Sequence, residues 1–215
     1  MTSDFIWHME DVLDVYEQPY DPKRPVICFD ERPCQLIGEV IVPIPMKPGS
    51  PKKENYEYIR NGTCCLFMAF EPRAGKRVTC VKERRTKVDY ADFMKDLVQH
   101  YPDAETILLV QDNLNTHTAG SFYEALPPGE AFELARKFEY HYTPKKGSWL
   151  NMAEIELSAI SKQCLDRRIG KIEKLADEVC AWEQERNRIK AGVRWEFKKN
   201  DAREKLHRHY LNLQN

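Results

Sequence analysis

Nowhere in the 215-residue chain does an apolar run approach the roughly 20 residues that a membrane-spanning helix requires. The longest stretches, 26–29 and 64–70, are far too short, and the amino-terminal MTSDFIWHMED lacks the basic-then-apolar pattern of a secretion signal. These absences exclude a helical membrane protein and place the chain in the cytoplasm as an expectation. There is no CxxC pair, and no histidine stands at zinc-finger spacing from any of the seven cysteines (28, 34, 64, 65, 80, 164 and 180). A disulfide framework and a structural zinc site are therefore not expected. The cysteines read instead as small buried apolar groups in a reducing compartment. Internal repeats and low-complexity tracts are also missing. Net charge is nearly absent at -1, with a pI near 6.6, so bulk charge does not argue for a nucleic-acid partner.

What is present is enough apolar material, 42% of residues, to fill one sizeable core, and a charge distribution that is uneven along the chain. The first 21 residues hold six acids (Asp4, Glu10, Asp11, Asp14, Glu17, Asp21) and no Lys or Arg. The stretch 73–87 holds seven bases against Glu83, and the tail 194–208 holds six bases against three acids. Such blocks suit phosphate contact, with a solvated rim as the plain alternative.

Short apolar runs at 26–29, 63–70, 77–81, 106–110 and 138–142 read as five strands, the second and third joined as a hairpin by Glu71-Pro72-Arg73-Ala74-Gly75-Lys76. Tyr90, Phe93, Met94, Leu97, Val98 and Tyr101 follow helical spacing, with Asp89 as the expected N-cap and Pro102 as the stop. A short helix is expected around 121–126. Leu150, Ala153, Leu157, Ile160 and Cys164 form a further stripe, and Ile172, Leu175, Ala176, Val179, Trp182 and Ile189 another. Residues 43–61, with four prolines and one glycine, form a long irregular excursion suited to gripping DNA or a partner subunit.

Three strands, then helix, strand, helix, strand, helix is an α/β order. It matches the ribonuclease H-like arrangement, a mixed central sheet flanked by helices. We divide the chain into a helical lead-in (1–25), the ribonuclease H-like domain (26–170, with the insertion 43–61) and a helical extension (171–215). In that fold Asp30 and Asp112 lie at the ends of the first and fourth strands, and Glu154 lies in the first turn of a helix. Three such carboxylates repel one another unless cations neutralise them. Their hard oxygens suit two Mg²⁺ ions, with Mn²⁺ able to substitute, and such a pair can drive in-line phosphodiester displacement. Each acid alone has an ordinary reading as a turn, cap or helix-surface residue.

The segments VICFDERPCQLIGE, NGTCCLFMAFEP, VQDNLNTH and HYTPKKGSWLNMAEIE resemble bacterial insertion-sequence transposases of the Tc/mariner superfamily over essentially the whole chain. Most specific are Asp112-Asn113 followed by His117, and Asn151-Met152-Ala153-Glu154. The resemblance implies a DDE endonuclease domain with Asp30, Asp112 and Glu154 as catalytic and metal-binding residues. It implies hydrolysis at transposon ends, then attack of the freed 3′-hydroxyl on target DNA at a TA dinucleotide, by a homodimer. Asn113 and His117 fall in the matching motif as residues that orient a phosphate or water, with a hydrogen-bonding structural role as the equal alternative for His117; Lys145 and Lys146 read as phosphate contacts or as solvated lysines, and Trp149 as a base-stacking or core tryptophan. Relatives carry amino-terminal helix-turn-helix modules, for which nothing before Val26 is long enough, and an apolar residue where this chain has Gln111. The alternatives are a non-catalytic remnant that binds DNA or dimerises, and another nuclease of the same fold, which the paired motifs disfavour.

Overall fold

The computed structural model describes residues 1–53 and 55–211. Helix α1 (Ser3–Glu17) precedes strands β1 (Val26–Glu39), β2 (Tyr58–Glu71) and β3 (Lys76–Lys82). Helix α2 (Lys87–Gln99) leads to β4 (Ile107–Asp112), the short helices α3 (Phe122–Ala125) and α4 (Pro128–Ala135), and β5 (Phe138–Thr143). Helices α5 (Ala153–Gln163), α6 (Ile172–Arg188), α7 (Lys199–Lys205) and α8 (His207–Leu211) follow. The strands form one mixed sheet in the order β3-β2-β1-β4-β5, antiparallel through β3-β2-β1 and parallel through β1-β4-β5.

Side chains alternate across the sheet because successive strand residues point to opposite faces. Ile27, Phe29, Phe67 and Leu109 bury against Tyr90, Phe93 and Leu97 of α2 and against Phe122. On the other face Cys28, Phe70, Leu108 and Val110 meet Met9, Leu13 and Tyr16 of α1, together with Leu150 and Met152. Further along that face Cys34, Leu36, Leu66 and Met68 meet Leu157 and Ile160 of α5 and Leu175 and Val179 of α6. Helix α1, expected as a lead-in, is therefore a layer of the core. The cysteines are free, and five of the seven are buried.

Four local expectations change. First, β1 does not stop at Asp30 but runs on to Glu39, because β2 continues to pair with it (Asp30 with Met68, Cys34 with Cys64). Its pairing with β4 ends at Cys28–Val110. Pro33 is tolerated because the β4 side of β1 carries no strand there. Second, the irregular segment shifts towards the amino terminus, lying between Glu39 and Tyr58, with bridges Ile44–Lys53 and Lys47–Ser50 forming a short finger. Third, the N-cap of α2 is Thr86. Asp89 is the other half of a capping box, since Thr86 N donates to its Oδ2 at 2.8 Å and Asp89 N donates to Thr86 Oγ1 at 3.2 Å. Fourth, Leu150 lies in a separate 3₁₀ turn ahead of α5.

The acidic amino terminus and the basic tail answer each other. Arg203 forms a two-pronged pair with Glu10 at 2.8 and 2.6 Å, Tyr210 hydroxyl donates to Glu10 at 2.6 Å, and Lys199 pairs with Asp14. The basic stretch 73–87 is likewise committed largely within the fold. Arg77 is buried against Glu156, Lys82 pairs with Asp92, Arg85 with Glu31, and Lys87 with Glu124. Arg73 donates to the carbonyls of Tyr16 and Gln18, and Lys76 to that of His100. The expectation of a phosphate-facing block there is replaced by one of internal ion pairing.

Candidate active site

Asp112 is the last residue of β4 and stands opposite Thr143 at the carboxyl end of the parallel strands. Asp30 lies two residues past the last β1–β4 pair, where the two strands part. Ligands of open α/β sheets characteristically gather at such carboxyl ends. The chain leaving β5 turns through Pro144–Gly147 and crosses the sheet to deliver the start of α5, where Glu154 is the second helical residue.

Asn151 holds this crossing in place. Its Nδ2 donates to the carbonyl of Phe29 at 2.8 Å and lies 3.4 Å from Asp30 Oδ2, while its Oδ1 accepts from Ala153 N at 3.1 Å. Its own carbonyl accepts from Glu154 N at 3.1 Å. One buried side chain thus ties the Asp30 strand to the Glu154 helix. Tyr16 of α1 holds the turn before α5 by donating its hydroxyl to Leu150 O at 2.8 Å.

Burial above all, and then the charges of Glu154, Asp112 and Glu31, push the Asp30 carboxyl up to about 7 against the lowering effect of a 2.8 Å hydrogen bond from Glu31 N. The charges of Glu154 and Asp112 are thus felt at Asp30. Among the described residues, no group of three or more His, Cys, Asp or Glu side chains is clustered closely enough to hold an ion. Like-charge repulsion opposes a tighter arrangement, and the surplus potential at Asp30 together with an all-oxygen donor set fits a divalent cation of the magnesium class. Beside Glu154 a cleft of about 400 Å³ opens between β1 and α5, lined by Arg32, Ser158, Ser161 and Lys162 among others. A more enclosed cavity of about 260 Å³, walled by Tyr16, Tyr20, Val26, Glu71 and Trp195, contains none of the three acids.

His117 takes the structural one of its two expected roles. It is only 1% exposed, stacked on Tyr90 with ring centres 5.0 Å apart and edge-on to Phe29, so it cannot reach DNA. Its Nδ1 lies 2.5 Å from Asp112 Oδ1, and its Nε2 lies 2.6 Å from Glu31 Oε2. Burial alone would lower the imidazole, but the adjoining carboxylates of Asp112 and Glu31 raise it to about 9. Gln111, where an apolar residue was expected, is fully buried. Its Oε1 accepts from the Tyr90 hydroxyl and its Nε2 donates to His117 O, both at 2.8 Å.

Asn113, Lys145, Lys146 and Trp149 are exposed. The two lysines sit on the turn after β5, Lys146 at φ 66°, beside the Asp112 strand end. Trp149 stacks on Trp195 at 6.4 Å and meets Phe197 edge-on at 6.0 Å, forming an aromatic shelf. Two participants had no role assigned from sequence, Glu31 and, although it opens the Asn151–Glu154 motif, Asn151. Glu31 had a signal, because strand alternation through FDE sends it to the face opposite Asp30 once β1 is known to continue.

A family profile described as DDE superfamily endonuclease matches residues 25–176. Among solved structures, the chain is similar to the Mos1 mariner paired end complex with Mn, at TM-score 0.59 and 14% identity, covering 89% of this chain and 58% of that one. For the Mos1 strand transfer complex the values are 0.60, 14%, 87% and 55%. For the catalytic domain of Mos1 mariner transposase they are 0.57, 11%, 89% and 94%. Identities this low show likeness of fold, and the shared fold is ribonuclease H-like. This chain spans a little over half the length of the Mos1 chains in the two complexes, and nearly all of the isolated catalytic domain. Among curated proteins, no sequence matches it.

Proposed function

Because the chain belongs to the DDE superfamily endonucleases, we propose that it is the catalytic domain of a Tc/mariner-type transposase, cleaving and rejoining DNA with divalent metal at Asp30, Asp112 and Glu154. The observation that carries this reading is the placement of Asp30 and Asp112 at the carboxyl ends of adjacent parallel strands, with the start of the Glu154 helix tied to the Asp30 strand through Asn151. Mg²⁺ or Mn²⁺ held by these carboxylates would supply activation of the attacking oxygen and stabilisation of the leaving oxygen in an in-line displacement. One structural relative is a mariner paired end complex with Mn and another is a paired end complex with Mg, which supports that choice of ions.

The chain's own residues do the rest. Asn151 fixes the approach of α5 to β1 and so sets Glu154 against Asp30. His117 takes up one oxygen of Asp112, Oδ1, and leaves Oδ2 for a cation. Lys145 and Lys146 neutralise phosphates beside the Asp112 strand end, and Asn113 adds a polar contact at the same rim. Trp149, braced by Trp195 and Phe197, offers a ring face to an unpaired base near the cut. Transposon-end and target DNA are the proposed substrates, inside the cell. Exposed apolar residues at and beside the finger, Val40, Ile41, Val42, Ile44, Met46 and Tyr56, support a contact with a second copy and hence an active homodimer.

Cleavage of an end-labelled duplex carrying the element's terminus tests the proposal. Mg²⁺ and Mn²⁺ should support nicking by the chain, or by the longer protein that contains it. Ca²⁺ should support DNA binding without turnover, because its larger and looser shell holds the nucleophile poorly. Metal-independent cleavage, or DNA binding without cleavage by the longer protein on its own ends, would count against it. The second outcome would favour a non-catalytic DNA-binding domain.

A further inference from the structure

Glu31 is the fourth acid of this region and does not belong to the expected triad. It follows Asp30 on β1, so strand alternation turns its side chain to the α2 face, where it is 3% exposed. Its Oε2 lies 2.6 Å from His117 Nε2 in an ion-pair contact that is not an aligned hydrogen bond, leaving that buried oxygen without a hydrogen-bond donor. Its Oε1 lies 3.5 Å from Arg85 Nη1. The other imidazole nitrogen, Nδ1, lies 2.5 Å from Asp112 Oδ1. The ring between the two acids is held on both flanks by Tyr90 and Phe29, and its backbone carbonyl is held by Gln111 and, at 3.4 Å, by the Tyr142 hydroxyl.

We propose that Glu31 is a positioning residue which, acting through His117, fixes the orientation of Asp112 and so presents its remaining oxygen to the cation site. This rests on the reading of Asp112 as a metal-binding residue. Stability alone gives little reason for the arrangement, because a buried set of charged groups is often no more stable than apolar side chains of the same volume. A metal-binding carboxylate, by contrast, gains affinity when an outer partner fixes its rotamer. Gln111 fits the same purpose, since its amide serves both the Tyr90 hydroxyl and the His117 carbonyl and braces the segment from below.

The test is Mn²⁺ binding by the full chain, followed by electron paramagnetic resonance and calorimetry, for wild type, Glu31→Gln, His117→Ala, the double variant and Asp112→Asn. Glu31→Gln and His117→Ala should each weaken Mn²⁺ by about tenfold or more, the usual loss on removing an outer partner of a ligand. They should also raise the metal concentration needed for half-maximal cleavage. The double variant should bind no more weakly than His117→Ala alone, because Glu31 acts only through the imidazole. Glu31→Gln preserves shape, so it decides the question if His117→Ala does not fold. Wild-type Mn²⁺ affinity in folded Glu31→Gln, or additive losses in the double variant, would overturn the proposal. If Asp112→Asn itself keeps wild-type affinity, the underlying metal assignment fails instead, and the two failures remain distinct.

Discussion

Asn151 Nδ2 donates to the carbonyl oxygen of Phe29 at 2.8 Å, joining the start of α5 to β1 just past the point where the parallel pairing with β4 ends. Replacing Asn151 by Ala removes a buried donor and also the acceptor for Ala153 N. The cost should be about 1–3 kcal/mol of stability, the usual penalty for leaving a buried polar group unsatisfied. Cleavage should fall further than the folded fraction does, because Glu154 loses its fixed approach to Asp30. Urea unfolding and cleavage by the same preparation check this, and a destabilised variant with full activity per folded molecule would contradict it.

Glu156, two residues beyond Glu154, holds Arg77 at 2.7 Å and Arg186 at 2.7 Å, with the first pair fully out of solvent. Glu156→Ala leaves one guanidinium buried without its carboxylate and should cost about 3–5 kcal/mol. Arg188→Ala, which breaks only the exposed pair with Glu185, should change stability by less than about 1 kcal/mol. Thermal unfolding by circular dichroism distinguishes the two. Equal, small effects would mean that α5 is anchored by apolar packing alone.

The clasp between the chain's ends should be acid-labile. The hydrogen bond from Arg203 holds the Glu10 carboxyl below its ordinary value of 4.5. A depressed carboxylate contributes stability that is fully present above the unfolded value and is lost as pH falls through the folded one. Amides of α7 should therefore lose hydrogen-exchange protection below about pH 4.5 while those of β4 remain protected. Uniform loss across the chain would place the clasp outside the acid response.

Much of this fold was legible because its signals are local. The buried run ending at Asp112, the stripe of α5 with Glu154 in its first turn, and the β-β-β-α-β order each depend on neighbouring residues. The misreadings come from partners distant in sequence. Charged and proline residues in Glu31-Arg32-Pro33 look like a strand end, yet β2 carries β1 onward to Glu39. His117 looks like a loop histidine, but its place is set by Glu31 and Tyr90. Arg77 looks like one base of a surface block, but its carboxylate sits on α5. No spacing rule within a segment shows that a charge is answered from across the fold.

Binding to DNA by this chain should be salt-sensitive and largely independent of sequence, since the exposed contacts proposed here are to phosphates and to base faces. Lys145→Ala and Lys146→Ala should each weaken binding evenly across sequences and reduce the salt slope by about 1. Trp149→Ala should weaken single-stranded more than duplex DNA. Fluorescence anisotropy over a range of salt concentrations provides the check. Unchanged slopes in both lysine variants would move the DNA path elsewhere.

The central claim, that Asp30, Asp112 and Glu154 together carry the chemistry, is tested most directly by Mn²⁺-dependent cleavage in single-turnover assays of Asp30→Asn, Asp112→Asn and Glu154→Gln. These changes preserve size and remove ligand charge, and each should cost several kcal/mol of transition-state stabilisation. Cleavage should fall below about 1% of wild type in each variant while circular dichroism and nonspecific DNA binding stay nearly unchanged. Substantial cleavage retained by any one of the folded variants would remove that carboxylate from the machinery, and retention by all three would contradict the account.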